Sequence, residues 1–293
     1  MKHDDKFADF QKKSAGQVRL PPLKMNFHLL IQAFADENLE TKELAAVLCN
    51  YPIITARLLG LANSPWASPV KPITNIETAC VRLGFSMVKG LSLALAVAAS
   101  FDTSRCPAFD PIRFWTTSLL VAEGGALLAA RLPDRENYPI DFGYTVKTAG
   151  ILHNLGLLWL ADNWPREMDQ ALNLISSQPS LLVNHAVIQY VGIDYCSAGA
   201  WVFKQWGLPE ELIEVVAHHR DKQYPEFTST PVLLVGAVAR MVSALFHEYK
   251  EIKENPNLIR LGIEFEQQEI VFNHLENKLE STKDLAKVVF CVM

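Results

Sequence analysis

No CxxC pair occurs in this sequence, and its five cysteines, Cys49, Cys80, Cys106, Cys196 and Cys291, are scattered along 293 residues. An odd set of dispersed thiols excludes a dense disulfide framework and a structural zinc site of the cysteine type. Charge of one sign is not in large excess: 27 Lys and Arg stand against 32 Asp and Glu, a net charge of −5. A general polyanion binder needs a surplus of cations, so nucleic acid is not an expected partner. Long hydrophobic runs are also missing. The longest, GLSLALAVAAS at 90–100, is too short to span a bilayer and has Lys89 and Arg105 on its flanks. It reads as a buried core helix. The opening MKHDDKFADFQKK is polar, with no apolar signal core. A cytoplasmic protein without a membrane partner is therefore expected. There is no GK[ST] phosphate loop: Glu123-Gly124-Gly125 sits inside a helical pattern. No Ser/His/Asp set has a supporting context, and Cys196 reads as a helix residue rather than a nucleophile.

Strand alternation is scarce, whereas helical spacing recurs from end to end. Apolar residues make up 49% and charged residues 20%, so a sizeable core is expected. The fold class is all-α. Residues 1–19 read as a polar lead-in, and LPPL at 20–23 as an extended break. Helices are predicted near 24–35, 41–49 and 52–62, the last capped by Asn50 with Pro52 in its first turn. Thr74 and Glu77 are predicted to form a capping box, with Gly84 stopping the short helix that follows. A longer helix follows at 86–100. The proline-containing loop 101–111 is the expected boundary between two helical halves, 20–105 and 106–250. In the second half, helices are predicted near 112–131, 144–161, 165–176, 180–190, 194–206, 209–219 and 230–250. A C-terminal extension, 251–293, carries one or two amphipathic helices. There Ile270, Val271, Leu275, Leu279 and Leu285 form an apolar stripe, for packing on the chain itself or for a homodimer.

The stretch ILHNLGLLWL, 151–160, raises the question of chemistry. On a continuous helix Ala149, Leu152, His153, Gly156 and Leu160 share one face, so His153 points inward. A core histidine bonded to a backbone carbonyl is one reading. A metal ligand is the other. His218 and His219 lie at a helix C-terminus, where the helix dipole favours a protonated imidazole. In LANSPWAS, Asn63, Ser64 and Trp66 occupy a loop. Trp66 is a candidate partner anchor or a lid on its own helix pair; Asn63 is a helix-end cap.

The ordered series LPPL, ARLLGLANS, ITNIETACVRLG, FWTTSLLVA, AGILHNLGLLWL and GAWVFKQWGLPEELIEVVAHHRD, from about Leu20 to Lys250, resembles the HDOD family, the HD-related output domains of bacterial signalling proteins. The resemblance implies an N-terminal helical bundle packed on an HD-phosphohydrolase-like helical half, with C-terminal amphipathic helices beyond. It also implies where metal ligands would stand in an active relative: a first His, a His-Asp doublet and a later Asp, with further His residues. Here Thr117 takes the first position and His153-Asn154 the doublet. Tyr195 stands where a His is often found, and no Asp falls near Val238 and Ala239. Asp141 and Asp194 are the nearby carboxylates, both expected outside the pocket. His153, Asn154, His218, His219, Thr117 and Tyr195 are thus read as a remnant polar cluster, with no cofactor beyond a weak divalent metal at His153 and His219. The function implied is a stand-alone, non-catalytic output module that binds signalling proteins or a small ligand. The alternative is a metal-dependent phosphohydrolase acting on a nucleotide or cyclic dinucleotide.

Overall fold

The computed structural model describes residues 10, 18–20, 30, 39–178, 181–221, 229–246 and 252–290. The helix expected at 24–35, the end of the one expected at 230–250, and Cys291 lie wholly or largely outside these residues. No strand occurs among the described residues, and the all-α expectation holds. The chain forms two compact units.

The smaller unit comprises Pro22–Ser100, Pro111–Thr116 and Lys278–Met293. It contains α1 (Thr41–Cys49), α2 (Pro52–Ala62), α3 (Ile76–Leu83) and α4 (Phe85–Ala98). Helix α3 packs on α1 and α2, and α4 on α2. Leu44, Leu48, Leu58, Leu61, Cys80 and Val88 are buried there. Gly84, at φ 87°, ends α3 and starts α4, and the two helices turn by 111° at that point. A positive φ is natural only for glycine here. The run 90–100 falls in α4, whose Leu91, Ser92, Leu93, Ala94, Leu95 and Val97 are buried. Among the described residues no single helix is long and apolar enough to cross a membrane; α3 and α4 pass that test only as a bent pair.

Two predicted caps are displaced. Asn75, not Thr74, caps α3, its Oδ1 accepting from the Thr78 N–H at 2.8 Å. Asn ranks above Thr as an N-cap residue, and here it takes the position. Asn50 does not cap α2. Its Nδ2 donates to the Ala46 and Val47 carbonyls at 3.3 Å, ending α1, and Tyr51 precedes Pro52 instead.

The larger unit comprises Met1–Pro21, Phe101–Asp110 and Thr117–Asn277. Its helices are α5 (Pro111–Ala129, from Thr117 onward), α6 (Phe142–Leu152), α7 (Leu155–Asn163), α8 (Pro165–Ser177), α9 (Val183–Val191), α10 (Tyr195–Gln205), α11 (Glu210–His218), α12 (Thr230–Leu245), α13 (Pro256–Arg260) and α14 (Phe265–Phe290, up to Asn277). A short 3-10 turn at Arg135–Asn137 was not legible in the periodicity. Helix α10 packs on α7 and α11, and α12 packs on α6 and α11. The Phe10 side chain lies edge-on to Trp164, their ring centroids 5.0 Å apart, and the Trp159 indole N–H donates to the Arg19 carbonyl at 2.9 Å.

The single helix expected at 144–161 is two helices. Helix α6 ends at Leu152, and α7 begins at Leu155. At the break, His153 and Asn154 are both buried, at 3% and 4% exposure.

Backbones approach closely around this break. A Cβ on Gly156 of α7 would stand 1.9 Å from the Tyr195 carbonyl oxygen. One on Gly150 of α6 would meet the Ala122 Cα of α5 at 2.6 Å, and one on Gly236 of α12 the His219 carbonyl oxygen at 2.5 Å. Backbone cannot swing aside as a side-chain end can. Gly156→Ala is expected to cost about 3 kcal/mol or more in urea unfolding, the upper range for overpacking. Gly60 lies mid-α2 with nothing within 4 Å of a built Cβ. There the same change is expected to stabilise by about 0.5–1 kcal/mol, through helix propensity alone. Equal effects at the two positions would overturn this account of the packing.

Candidate functional site

The α6–α7 break brings four sequence-predicted residues together. The His153 and His219 rings meet edge to face, centroids 5.0 Å apart at 89°. Tyr195, first residue of α10, places its hydroxyl 3.3 Å from His219 Nε2. Asn154 Oδ1 accepts from the Ser118 hydroxyl of α5 at 3.0 Å. His153, Asn154, Tyr195, His219 and Ser118 are all buried.

The backbone decides the tautomers. His153 Nδ1 lies 2.7 Å from the Gly150 carbonyl oxygen, and His219 Nδ1 lies 3.0 and 3.1 Å from those of Val215 and Val216. Carbonyls only accept, so each Nδ1 carries its proton and donates. With a neutral ring, Nε2 then keeps its lone pair, and that of His219 accepts from Tyr195. Burial is the main cause that holds the His153 pKa down to about 4 and His219 well below the ordinary imidazole value; the Arg220 charge adds to both, and His153 adds to His219. The helix-dipole expectation of a protonated His219 is therefore corrected: desolvation of a buried cation outweighs a helix end. Burial likewise pushes the Tyr195 phenol up, so it stays a donor.

Not every predicted member joins. His218, next to His219 on α11, turns to the solvent side, where its Nδ1 lies 2.8 Å from the Asp221 carboxylate. Thr117 is half-buried, and it is its neighbour Ser118 that bonds Asn154. A one-residue step along α5 moves a side chain by about 100°, too fine for spacing to settle without the partner helix. Asp194 caps α10, accepting from the Ser197 N–H and hydroxyl, each at 2.8 Å. Asp141 stands at the start of α6.

All donors in the cluster are neutral: two imidazoles, an amide, a phenol and a hydroxyl. Among the described residues no group of three His, Cys, Asp or Glu side chains is placed to hold a metal ion. A divalent cation loses its water shell only against compensating negative charge. The amide oxygen already accepts from Ser118, and the His219 lone pair from Tyr195. This donor set does not fit the metal centre that the HD-type resemblance implies.

In the smaller unit, Asn63 ends α2. Its Nδ2 donates to the Leu59 and Ile73 carbonyls at 2.9 and 2.8 Å, and its Oδ1 accepts from the Ile73 N–H at 2.8 Å. Ser64 is buried on the Leu61 carbonyl at 2.7 Å, and Trp66 is half-buried. The LANS loop is thus closed by its own polar groups. On α14, Val271, Leu275, Leu279 and Leu285 of the expected stripe are buried within the chain, while Ile270 is half-exposed.

The family model for the HDOD domain matches residues 20–222. No curated protein matches the sequence. Among solved structures, a Marinobacter aquaeolei VT8 protein provisionally named a signal transduction protein aligns with 98% of this chain at 20% identity and a TM-score of 0.81. The chain spans 65% of that protein's length. An HDOD domain protein of unknown function from Geobacter sulfurreducens aligns over 99% of both chains at 19% identity, with a TM-score of 0.74. A Shewanella amazonensis SB2B protein provisionally named a metal-dependent phosphohydrolase aligns over 96% of this chain and 98% of its own, at 20% identity and a TM-score of 0.58. At such identities the likeness is one of fold.

The buried imidazoles make stability depend on acid. Their folded pKa values lie below the unfolded value of about 6.5, so the unfolded chain binds more protons and gains on the folded one as pH falls. The loss begins below pH about 6.5 and, for His153, is complete near its folded value of about 4. That depression corresponds to about 3 kcal/mol at most. Urea unfolding at pH 7.5 and pH 5 is expected to show the loss, and His153→Gln to flatten the slope. An unchanged slope in the variant would contradict a neutral buried His153.

Proposed function

This chain belongs to the HDOD family, and from that premise we propose that it is a non-catalytic signalling or regulatory module, acting by binding a protein partner or a small ligand. The observation that carries this reading is the chemistry of the His153–Asn154–Tyr195–His219 cluster. Every side chain in it is neutral and buried, the Asn154 oxygen accepts from Ser118, and the His219 Nε2 lone pair accepts from Tyr195. Phosphoryl hydrolysis of the HD type needs charged ligands that hold a dication and lower the pKa of a bound water. Neutral groups hydrogen-bonded in this way instead fix helix positions. The signal-transduction name of the Marinobacter relative agrees with this direction.

Metal content and hydrolysis provide the test. Chain purified without a metal-affinity step is expected to retain no stoichiometric Mn, Fe or Zn by mass spectrometry. It is expected to leave p-nitrophenyl phosphate and bis-p-nitrophenyl phosphate at background rate with Mn2+ added. Asn154→Asp alone is expected not to restore tight metal binding, because no second carboxylate joins it. Stoichiometric metal that is lost in His153→Ala, together with turnover, would establish the phosphohydrolase instead.

A further inference from the structure

The larger unit holds a cavity of about 400 Å³ whose lining includes none of the cluster residues. Its wall is one stripe of α12: Ala237, Arg240, Met241 and Ala244. These positions are i, i+3, i+4 and i+7, a single helical face. Asp221, just beyond α11, and the run Ile252–Asn257 leading into α13 complete the lining. The volume lies in the range of small-molecule sites.

The lining carries two cations, Arg240 and Lys253, and two carboxylates, Asp221 and Glu254. Arg240 has no ion pair or hydrogen-bond partner among the described residues, and Arg220, beside Asp221, acts on it with a like charge. Lys253 is the second cation of the lining. Of the two carboxylates, Asp221 is engaged by His218 at 2.8 Å, which leaves Glu254 on the exposed loop. The Arg240 guanidinium lies on this wall, and its planar fork matches phosphate or carboxylate oxygens. Ala237, Met241 and Ala244 offer an apolar surface on the same helix face.

We propose that this cavity binds a small organic anion, a phosphate monoester or a carboxylate with an apolar body. Arg240 and Lys253 hold the charge, and the Ala237–Met241–Ala244 face holds the body. The assignment rests on the regulatory reading above and gives its ligand a place. Binding there bears on the cluster by a short path. Gly236, next to Ala237 on α12, packs directly on the His219 carbonyl, and Arg220 and Asp221 follow His219 in the chain.

Isothermal titration of the full chain with phenyl phosphate, phenylacetate, inorganic phosphate and benzyl alcohol tests the site. At least one of the two organic anions is expected to bind at submillimolar concentration, inorganic phosphate more weakly, and benzyl alcohol not at all. The stronger of the two organic anions identifies the source of the charge as phosphate or carboxylate. Arg240→Ala is expected to weaken binding at least tenfold, Arg240→Lys less, and Lys253→Ala about threefold. Lys253 is an exposed loop residue, so its variant reads the site without touching the core. Thermal melts verify that the Arg240 variants are folded. No binding of either organic anion at millimolar concentration, equal binding of benzyl alcohol, or affinity unchanged in both alanine variants would overturn the assignment. Phosphate release in the same samples keeps the two readings apart. Hydrolysis of phenyl phosphate would overturn the non-catalytic reading, while the Arg240 variants would still decide the site.

Discussion

Two imidazoles buried without charge, each with its Nδ1 proton on a backbone carbonyl, set the terms for the helices around them. A neutral ring can be buried only if its polar atoms are met, and here the backbone meets them from within the same turn: Gly150 for His153, Val215 and Val216 for His219. That leaves the Nε2 edges to face the other helices. The rings can meet edge to face only if α6, α7, α10, α11 and α12 come close, and glycines at 150, 156 and 236 allow the backbones to touch. The cluster and the glycine contacts are therefore one constraint. Each is unworkable without the other, because an added methyl would separate the helices and admit water to groups now paired inside.

The same geometry bears on chemistry. An imidazole pair with carboxylates beside it is a strong divalent-metal site; an imidazole pair with an amide, a phenol and a hydroxyl is a hydrogen-bonded core. Asn154 differs from aspartate by one atom type, yet the change reverses the electrostatics. The amide oxygen accepts a hydroxyl from Ser118 and brings no charge that needs a counterion. Asp194, the nearby buried carboxylate, is held by the first turn of α10, where it satisfies backbone and hydroxyl donors. The likeness to proteins carrying both signalling and phosphohydrolase names is consistent with one fold supporting both uses.

Charge that is missing from the cluster is present close by in the chain. Arg220 and Asp221 follow His219 directly, and Arg240 faces a cavity on the helix whose Gly236 touches the His219 backbone. The larger unit thus separates its polar groups into two kinds. The His153–Asn154–Tyr195–His219 set is buried and neutral, each member bonded to backbone or to a neighbouring side chain. The cavity set is charged, and its Arg240 has no ion pair or hydrogen bond among the described residues.

Much of this was legible in the sequence. Helical spacing and the scarcity of alternation determined an all-α chain, and Gly84 and Gly207 marked helix ends because only glycine is at ease at positive φ. The missing carboxylate after His153 was visible by inspection, and so was the inward direction of that histidine. The tertiary structure decided the rest. It placed the α6–α7 break at the doublet, where His153 bonds the Gly150 carbonyl of its own helix and Asn154 the Ser118 hydroxyl of α5. It chose Ser118 over Thr117 and turned His218 outward, because a 100° step between neighbours is resolved only by what packs against them. It set the protonation of His219 against the pull of its helix end, for desolvation depends on the whole surroundings of a group and a sequence lists only its neighbours along the chain.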